Sequence, residues 1–233
     1  MQSLLLATYD RNQAAHWHAA LSATGLWNLH DPVHSFAEVR RSMVLRSTAL
    51  LITDVCLRDG TVVDMVRVLR PAQGEARSQV LVLCAHESEP LLLEALQAGA
   101  DNFFVTGGAQ PGAQPGAQPG AQHGALATRV RDTLAGDTDI APWIARRLLD
   151  HFGAGQATRS GSHGLRRHTV EDLNNPLALT AAERLLLRQV AVGARLVDVA
   201  RHEGVRPPEI FARLRGIYRK MQWALRAGDL QLN

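Results

Sequence analysis

Five cationic side chains crowd one short stretch of this 233-residue chain: Arg206, Arg213, Arg215, Arg219 and Lys220, against a single acid, Glu209. Guanidinium and ammonium groups gathered on one surface neutralise phosphates, as a nucleic-acid backbone requires. A second chemical feature lies far upstream, where Asp54 ends the apolar run 48–53 (TALLIT). A carboxylate at the C-terminal end of a strand stands where open α/β sheets gather their chemistry. Metal chemistry has no comparable support. Neither His16/His18 nor His163/His168 has a Cys or acid at zinc spacing, so no metal centre is expected. Cys56 and Cys84 both follow apolar runs, so they read as small buried residues or as a redox pair, and we expect the former.

The cations need a helix to present them, and the sequence supplies three in succession. Thr180 to Glu183 is a capping box, followed by Leu185, Leu186, Gln189 and Val190 at helical spacing and a stop at Gly193. A short helix over 196–202 ends at Gly204. Pro207 and Pro208 open a third, where a missing amide hydrogen costs least. Ile210, Leu214, Ile217 and Met221 form its apolar stripe, and the cations are assigned to the opposite face. A short helix, a tight turn and a basic-faced helix are the parts of a helix-turn-helix.

The stretch 179–221 resembles the DNA-binding domain of NarL/LuxR-type regulators. LTAAE…LLLRQVAVG is similar to its first helix, LVDVARHEGV to its second and EIFARLRGIYRKM to its recognition helix. The resemblance implies Phe211, Ala212 and Arg215 as base-reading positions, with Arg206, Arg213, Arg219 and Lys220 on phosphates. Two positions depart from the family: Glu209 stands where Thr or Ser is usual, and Phe211 where Lys is usual. Phe211 can make only apolar contacts, such as one to a thymine methyl.

The front of the chain alternates apolar strands with helices. Strands are predicted at 3–7, 48–54, 80–84 and 102–105, and helices over 11–22, from the capping box at Ser35 to about Met43, and over 61–70 and 89–98. That alternation predicts a parallel sheet covered on both faces. LLITDVCLRDG (50–60) and VLVLCAHESEPLLLEALQAGADNFFV (80–105) resemble the receiver domain of two-component response regulators, which implies a flavodoxin-like, doubly wound, five-stranded sheet with Asp54 at the phospho-acceptor position.

The rest of the receiver machinery is eroded. The acidic pair that holds Mg²⁺ falls on Thr8 and Tyr9, with Asp10 one residue beyond. The switch Thr or Ser becomes Cys84, the lysine becomes Thr106 and the switch aromatic is Phe103. Phosphoryl transfer to a carboxylate needs cations on the equatorial oxygens, and hard cations need convergent oxygens. Asp54 is therefore expected not to be phosphorylated efficiently, and neither Mg²⁺ nor another cofactor is expected. The alternative is that Asp10, Asp54 and Asp59 still assemble a site. A receiver without phosphorylation is left with dimerisation, or with a protein or small-molecule partner.

We divide the chain into a receiver-like domain over 1–135, a connector helix over 136–152, a flexible linker over 153–175 and an all-α helix-turn-helix domain over 176–233. Within the first, 107–125 is a low-complexity insert in which GAQP recurs, read as a solvated loop up to Gly124, with the closing helix over 126–134. A neutral repeat expansion and a partner-binding role both fit it. After Met221 only about one and a half turns remain, interrupted at Gly228, so pairing on DNA falls to the receiver.

Net charge is +3, unevenly spread: 12 basic and 15 acidic side chains through Asp150, then 13 and 7 beyond it. Only the back half is suited to a polyanion. No run is long and apolar enough for a membrane span, and the start MQSLLLATYDRN lacks a leader pattern. With the paucity of cysteine, this makes a cytoplasmic location the expectation. The function expected is a non-enzymatic transcription regulator, independent of phosphorylation, binding duplex DNA as a homodimer. The alternatives are a protein-interaction regulator with little sequence-specific DNA affinity, and a conventional regulator phosphorylated at Asp54.

Overall fold

The computed structural model describes residues 1–45, 48–72, 78–85, 90–106, 119–157 and 178–230. The chain divides into two compact units, Met1–Asp137 and Thr138–Asn233.

The first unit is a five-stranded parallel sheet. Its strands are β1 (Ser3–Ala7), β2 (Asn28–Leu29), β3 (Leu50–Asp54), β6 (Gln79–Cys84) and β7 (Asn102–Val105), ordered β2-β1-β3-β6-β7. That is the 2-1-3-4-5 order of the flavodoxin-like doubly wound sheet, as expected. Helices α1 (Arg11–Ser22), α2 (Phe36–Leu45), α3 (Val62–Ala72), α4 (Pro90–Ala98) and α5 (Pro119–Ala135) connect and follow the strands. The apolar runs form strands buried on both faces because successive side chains alternate. Leu4, Leu6, Leu50, Ile52, Leu81, Leu83 and Phe104 make one core with Trp17 of α1 and Leu126 and Val130 of α5. The opposite face holds the alternate row, including the buried Leu5, Leu51, Val82 and Phe103.

Three features of this unit were not expected. β2 is only two residues long, paired through Ser3↔Asn28 and Leu4↔Leu29, too short to leave a period-two signature. A small antiparallel hairpin, β4 (Cys56–Leu57) with β5 (Gly60–Thr61), follows Asp54 and leaves Cys56 exposed rather than buried. The insert is the third. Residues 107–118 lie outside the described part, but α5 begins at Pro119, so 119–124 is helix and not loop. Proline at the first helical position gives up no intrahelical bond, and the helix then propagates towards its packed residues.

The sheet is tied at its other end by Arg70. Its buried guanidinium donates to Gly99 O, to Ser78 O (2.6 Å) and to Asp101 Oδ2 (2.6 Å), which also accepts from Val80 N (2.8 Å). Gly99 has φ +127, and a Cβ there would lie 3.1 Å from Arg70 Cγ. The backbone conformation and the close approach both demand glycine.

The second unit is helical: α6 (Pro142–Ala157), α7 (Ala181–Ala191), α8 (Leu196–Glu203) and α9 (Pro207–Leu230). Two boundaries differ from expectation. α6 continues to Ala157, five residues into the segment read as linker, because each residue added to a formed helix gains a hydrogen bond without a new nucleation cost. It also packs on α7 as part of this unit rather than standing apart as a connector. Arg146 caps the last turn of α7 with two bonds to Ala191 O (3.0 and 2.8 Å), and Tyr218 of α9 donates to Asp139 O at 3.0 Å. The second difference is in α9, which runs unbroken through Gly228 to Leu230; the tail extends the third helix instead of forming a short one of its own.

Candidate functional site

Asp54 closes β3, in register with Leu83 of β6. Its Oδ2 accepts from Tyr9 N at 2.8 Å, and the Thr53 hydroxyl donates to its backbone oxygen at 3.1 Å. Burial pushes the carboxyl up to about 6; the Tyr9 amide opposes this and the Asp10 charge adds to it. Thr8, Tyr9, Asp10 and Thr106, four of the positions expected around it, are otherwise employed. Thr8 is fully buried, with its hydroxyl on Asp10 O (3.1 Å) and its carbonyl held by His34 Nδ1 (2.9 Å). Tyr9 is 61% exposed and contributes its amide rather than its ring. Asp10 is the N-cap of α1: its Oδ1 accepts from Asn12 N at 2.7 Å and Gln13 N at 3.4 Å. Thr106 donates its hydroxyl to Cys84 O at 3.2 Å.

Two expectations are corrected here. Cys84 is buried, its thiol donates to Phe104 O at 3.6 Å, and strand alternation sends it to the face opposite Asp54's row. The exposed Ala85 is the next residue, and it has no hydroxyl. Asp59 does not join Asp10 and Asp54 in a site. Its two oxygens accept from Phe36 N (2.5 Å) and Ala37 N (3.1 Å) at the start of α2. Two of the three carboxylates are thus helix caps, anions placed where free amides and the positive end of a helix already satisfy them. Among the described residues no group of three His, Cys, Asp or Glu could hold a metal ion.

In the second unit the geometry comes from α8, a three-residue turn and α9. Gly204 closes α8 at φ 68, a left-handed conformation that glycine adopts without strain. Ile210, Leu214, Ile217 and Met221 are fully buried, as their spacing predicts. At 100° per residue, Pro208, Ala212, Arg215, Arg219 and Trp223 fall within an arc of about 80° on the far side.

The five cations do not share that arc. Arg213 Nη1 pairs with Glu203 Oε2 of α8 at 2.6 Å, its side chain 24% exposed. Lys220 Nζ donates to Glu183 Oε2 of α7 at 2.6 Å and to Ala178 O at 3.0 Å, 21% exposed. Both were expected to meet phosphate; instead they lie at the edge of the helix, where they tie α9 to its neighbours. Arg206 is exposed but reaches Glu209 Oε1 at 3.2 Å, and Glu209 Oε1 also accepts from Arg206 N at 3.4 Å, folding back over the helix start. Arg215 and Arg219 remain without an ion-pair partner among the described residues, and Phe211 flanks them half-buried.

Sequence reasoning missed these interhelical ties, although signals existed. Gly216 lies inside a helix, and a Cβ there would sit 3.6 Å from Glu183 Oε1. A helical glycine one turn before the only lysine marks where Glu183 of α7 packs, at ordinary van der Waals distance. Ser3 Oγ and His30 Nε2 also approach to 2.5 Å, but at the N-terminal end of the sheet, away from Asp54.

No protein-family model matches the sequence, and no curated protein is significantly similar to it. Among solved structures, the chain is similar to the response regulator RcsB of Salmonella typhimurium, with 12% identity over 95% of this chain and 93% of that one and a TM-score of 0.50. A structure of two RcsB dimers bound to two parallel DNAs aligns at 14% identity over 95% and 92%, TM-score 0.48. The response regulator ChrA of a heme-sensing two-component system aligns at 18% identity over 98% of each chain, TM-score 0.46. At these identities the likeness is one of fold. A flavodoxin-like unit followed by a helical one is the architecture that this chain and RcsB have in common.

Proposed function

We propose that this chain is a DNA-binding transcription regulator of the response-regulator type, of NarL/LuxR character in its helical unit. It would bind duplex DNA as a dimer through α9, without catalysing a reaction, in the cytoplasm. The observation that carries the proposal is the outward arc of α9: Ala212, Arg215 and Arg219 face away from the core on a helix led in by α8 and a three-residue turn. A recognition helix presents its N-terminal half to base edges, with Arg suited to guanine and apolar groups to the thymine methyl. Phe211 and Ala212 beside Arg215 fit a site that mixes the two. Pairing is assigned to the N-terminal unit.

Independence from phosphorylation is supported by the environment of Asp54. Its carboxyl is pushed up to about 6, Asp10 and Asp59 serve as caps, and Thr106 stands where a lysine would grip the phosphoryl group. A second possibility, regulation through protein partners alone, draws support from the commitment of Arg213 and Lys220 to ion pairs. Selection from a randomised duplex library separates the two: a transcription regulator enriches a defined motif, whereas an interaction protein returns a library of unchanged composition.

A further inference from the structure

An exposed indole follows the buried stripe of α9. Burial along α9 holds through Ile217, Tyr218, Met221 and Gln222, yet the helix continues to Leu230. The first residue past that buried segment is Trp223, 66% exposed, whereas Trp17 is buried in a core against Phe104. A large apolar ring left in water forgoes the stabilisation its burial would bring, so packing gives no account of an indole here.

Its direction is informative. Trp223 lies on the arc of Arg215 and Arg219, one turn beyond Arg219. With 1.5 Å of rise per residue, it stands about 12 Å further along the axis than Arg215. A helix that enters the major groove by its N-terminal half carries a residue at that distance to the groove edge, over the sugar–phosphate backbone. There the available groups are phosphate oxygens, which only accept, and the indole N–H only donates.

We infer that Trp223 is a further DNA-contacting residue, its ring against the backbone at the groove rim and its Nε1–H donated to a phosphate oxygen. This rests on the proposed DNA binding by α9. A second copy of the chain is the poorer occupant. The neighbouring Arg219 is exposed and without an ion-pair partner among the described residues, so a two-fold contact centred on this arc brings like charges together, while a phosphate backbone complements them.

The test uses the full chain, a fluorescently labelled duplex from the library selection, and the variants Trp223→Ala, Trp223→Phe and Arg215→Ala. Because Trp223 is exposed, its variants are expected to keep the native melting temperature. W223A should weaken binding about five- to ten-fold, and W223F, which keeps a ring but loses the donor, about two- to five-fold. The salt slope should stay unchanged in both, since a neutral group releases no counterion. Duplex addition should quench a fluorescence component that W223F lacks. If R215A weakens binding while both Trp223 variants stay within about two-fold of native, this inference fails and the DNA-binding proposal stands. If the native chain binds no duplex at low salt, both fail. If W223A instead dissociates a self-associated form in sedimentation with DNA affinity unmoved, the indole belongs to a copy–copy contact and the inference is overturned.

Discussion

Lys220 Nζ lies 2.6 Å from Glu183 Oε2, so the sole lysine of the chain is a tie between α9 and α7. Glu183 is also the third residue of a capping box, accepting from Thr180 N at 2.7 Å while its own amide donates to Thr180 Oγ1 at 3.2 Å. One carboxylate thus closes the start of α7 and anchors the last helix. Lys220→Ala strands that carboxylate and is expected to destabilise the helical unit by about 1–3 kcal/mol, less than for a fully buried pair because Lys220 is partly exposed. Replacing both partners, Glu183→Gln with Lys220→Met, should cost less than Lys220→Ala alone. Urea unfolding followed by circular dichroism measures both.

The same pair sets an acid limit. Burial raises the Glu183 carboxyl, but the Lys220 and Thr180 hydrogen bonds and the lysine charge outweigh it, leaving it below its ordinary 4.5. A lowered carboxyl contributes stability above its unfolded pKa and loses it as pH falls through the folded value. The native helical unit should therefore weaken below about pH 4.5, and Lys220→Ala should flatten that limb of the stability profile.

Asp54 predicts the opposite dependence in the first unit. Raised by burial from 3.8 to about 6, it stabilises in its protonated form, and that contribution is lost as pH rises through 6. Asp54→Asn keeps the shape and removes the charge. It should be neutral near pH 4 and stabilise the unit by about 1–2 kcal/mol at pH 7.5, allowing for partial exposure. Thermal melts at the two pH values provide the comparison; a variant less stable than native at pH 7.5 would mean that stabilisation of the carboxylate, as by the Tyr9 amide, outweighs its burial.

Incubation with acetyl phosphate and Mg²⁺ should leave the intact mass unchanged. A phospho-adduct at Asp54 would overturn the phosphorylation-independent account.

The two units were legible to different degrees. The sheet could be read because strands such as 80–84 are continuous apolar runs, and α7 because its capping box is local in sequence. β2 was invisible because two residues carry no period. The cation face was misjudged for a different reason. An apolar stripe fixes which side of α9 is buried but not what waits at its edges, and Glu203 and Glu183 reach Arg213 and Lys220 from separate helices. Pairings ten and 37 residues apart in sequence are tertiary facts. Asp10 and Asp59 were likewise recognisable as acids, but whether an acid caps a helix or faces a pocket depends on where the loops place it.

The central claim is that the outward arc of α9 meets duplex DNA, and the salt dependence of binding tests it most directly when four single-cation variants are compared. Arg215→Ala and Arg219→Ala should each weaken binding and lower the slope of log K against log salt by about 1, because each leaves one phosphate without its cation. Arg213→Ala and Lys220→Ala should reduce stability and leave that slope as it is in the native chain. A slope unaffected at Arg215 and Arg219, or lowered equally by all four, would contradict the account.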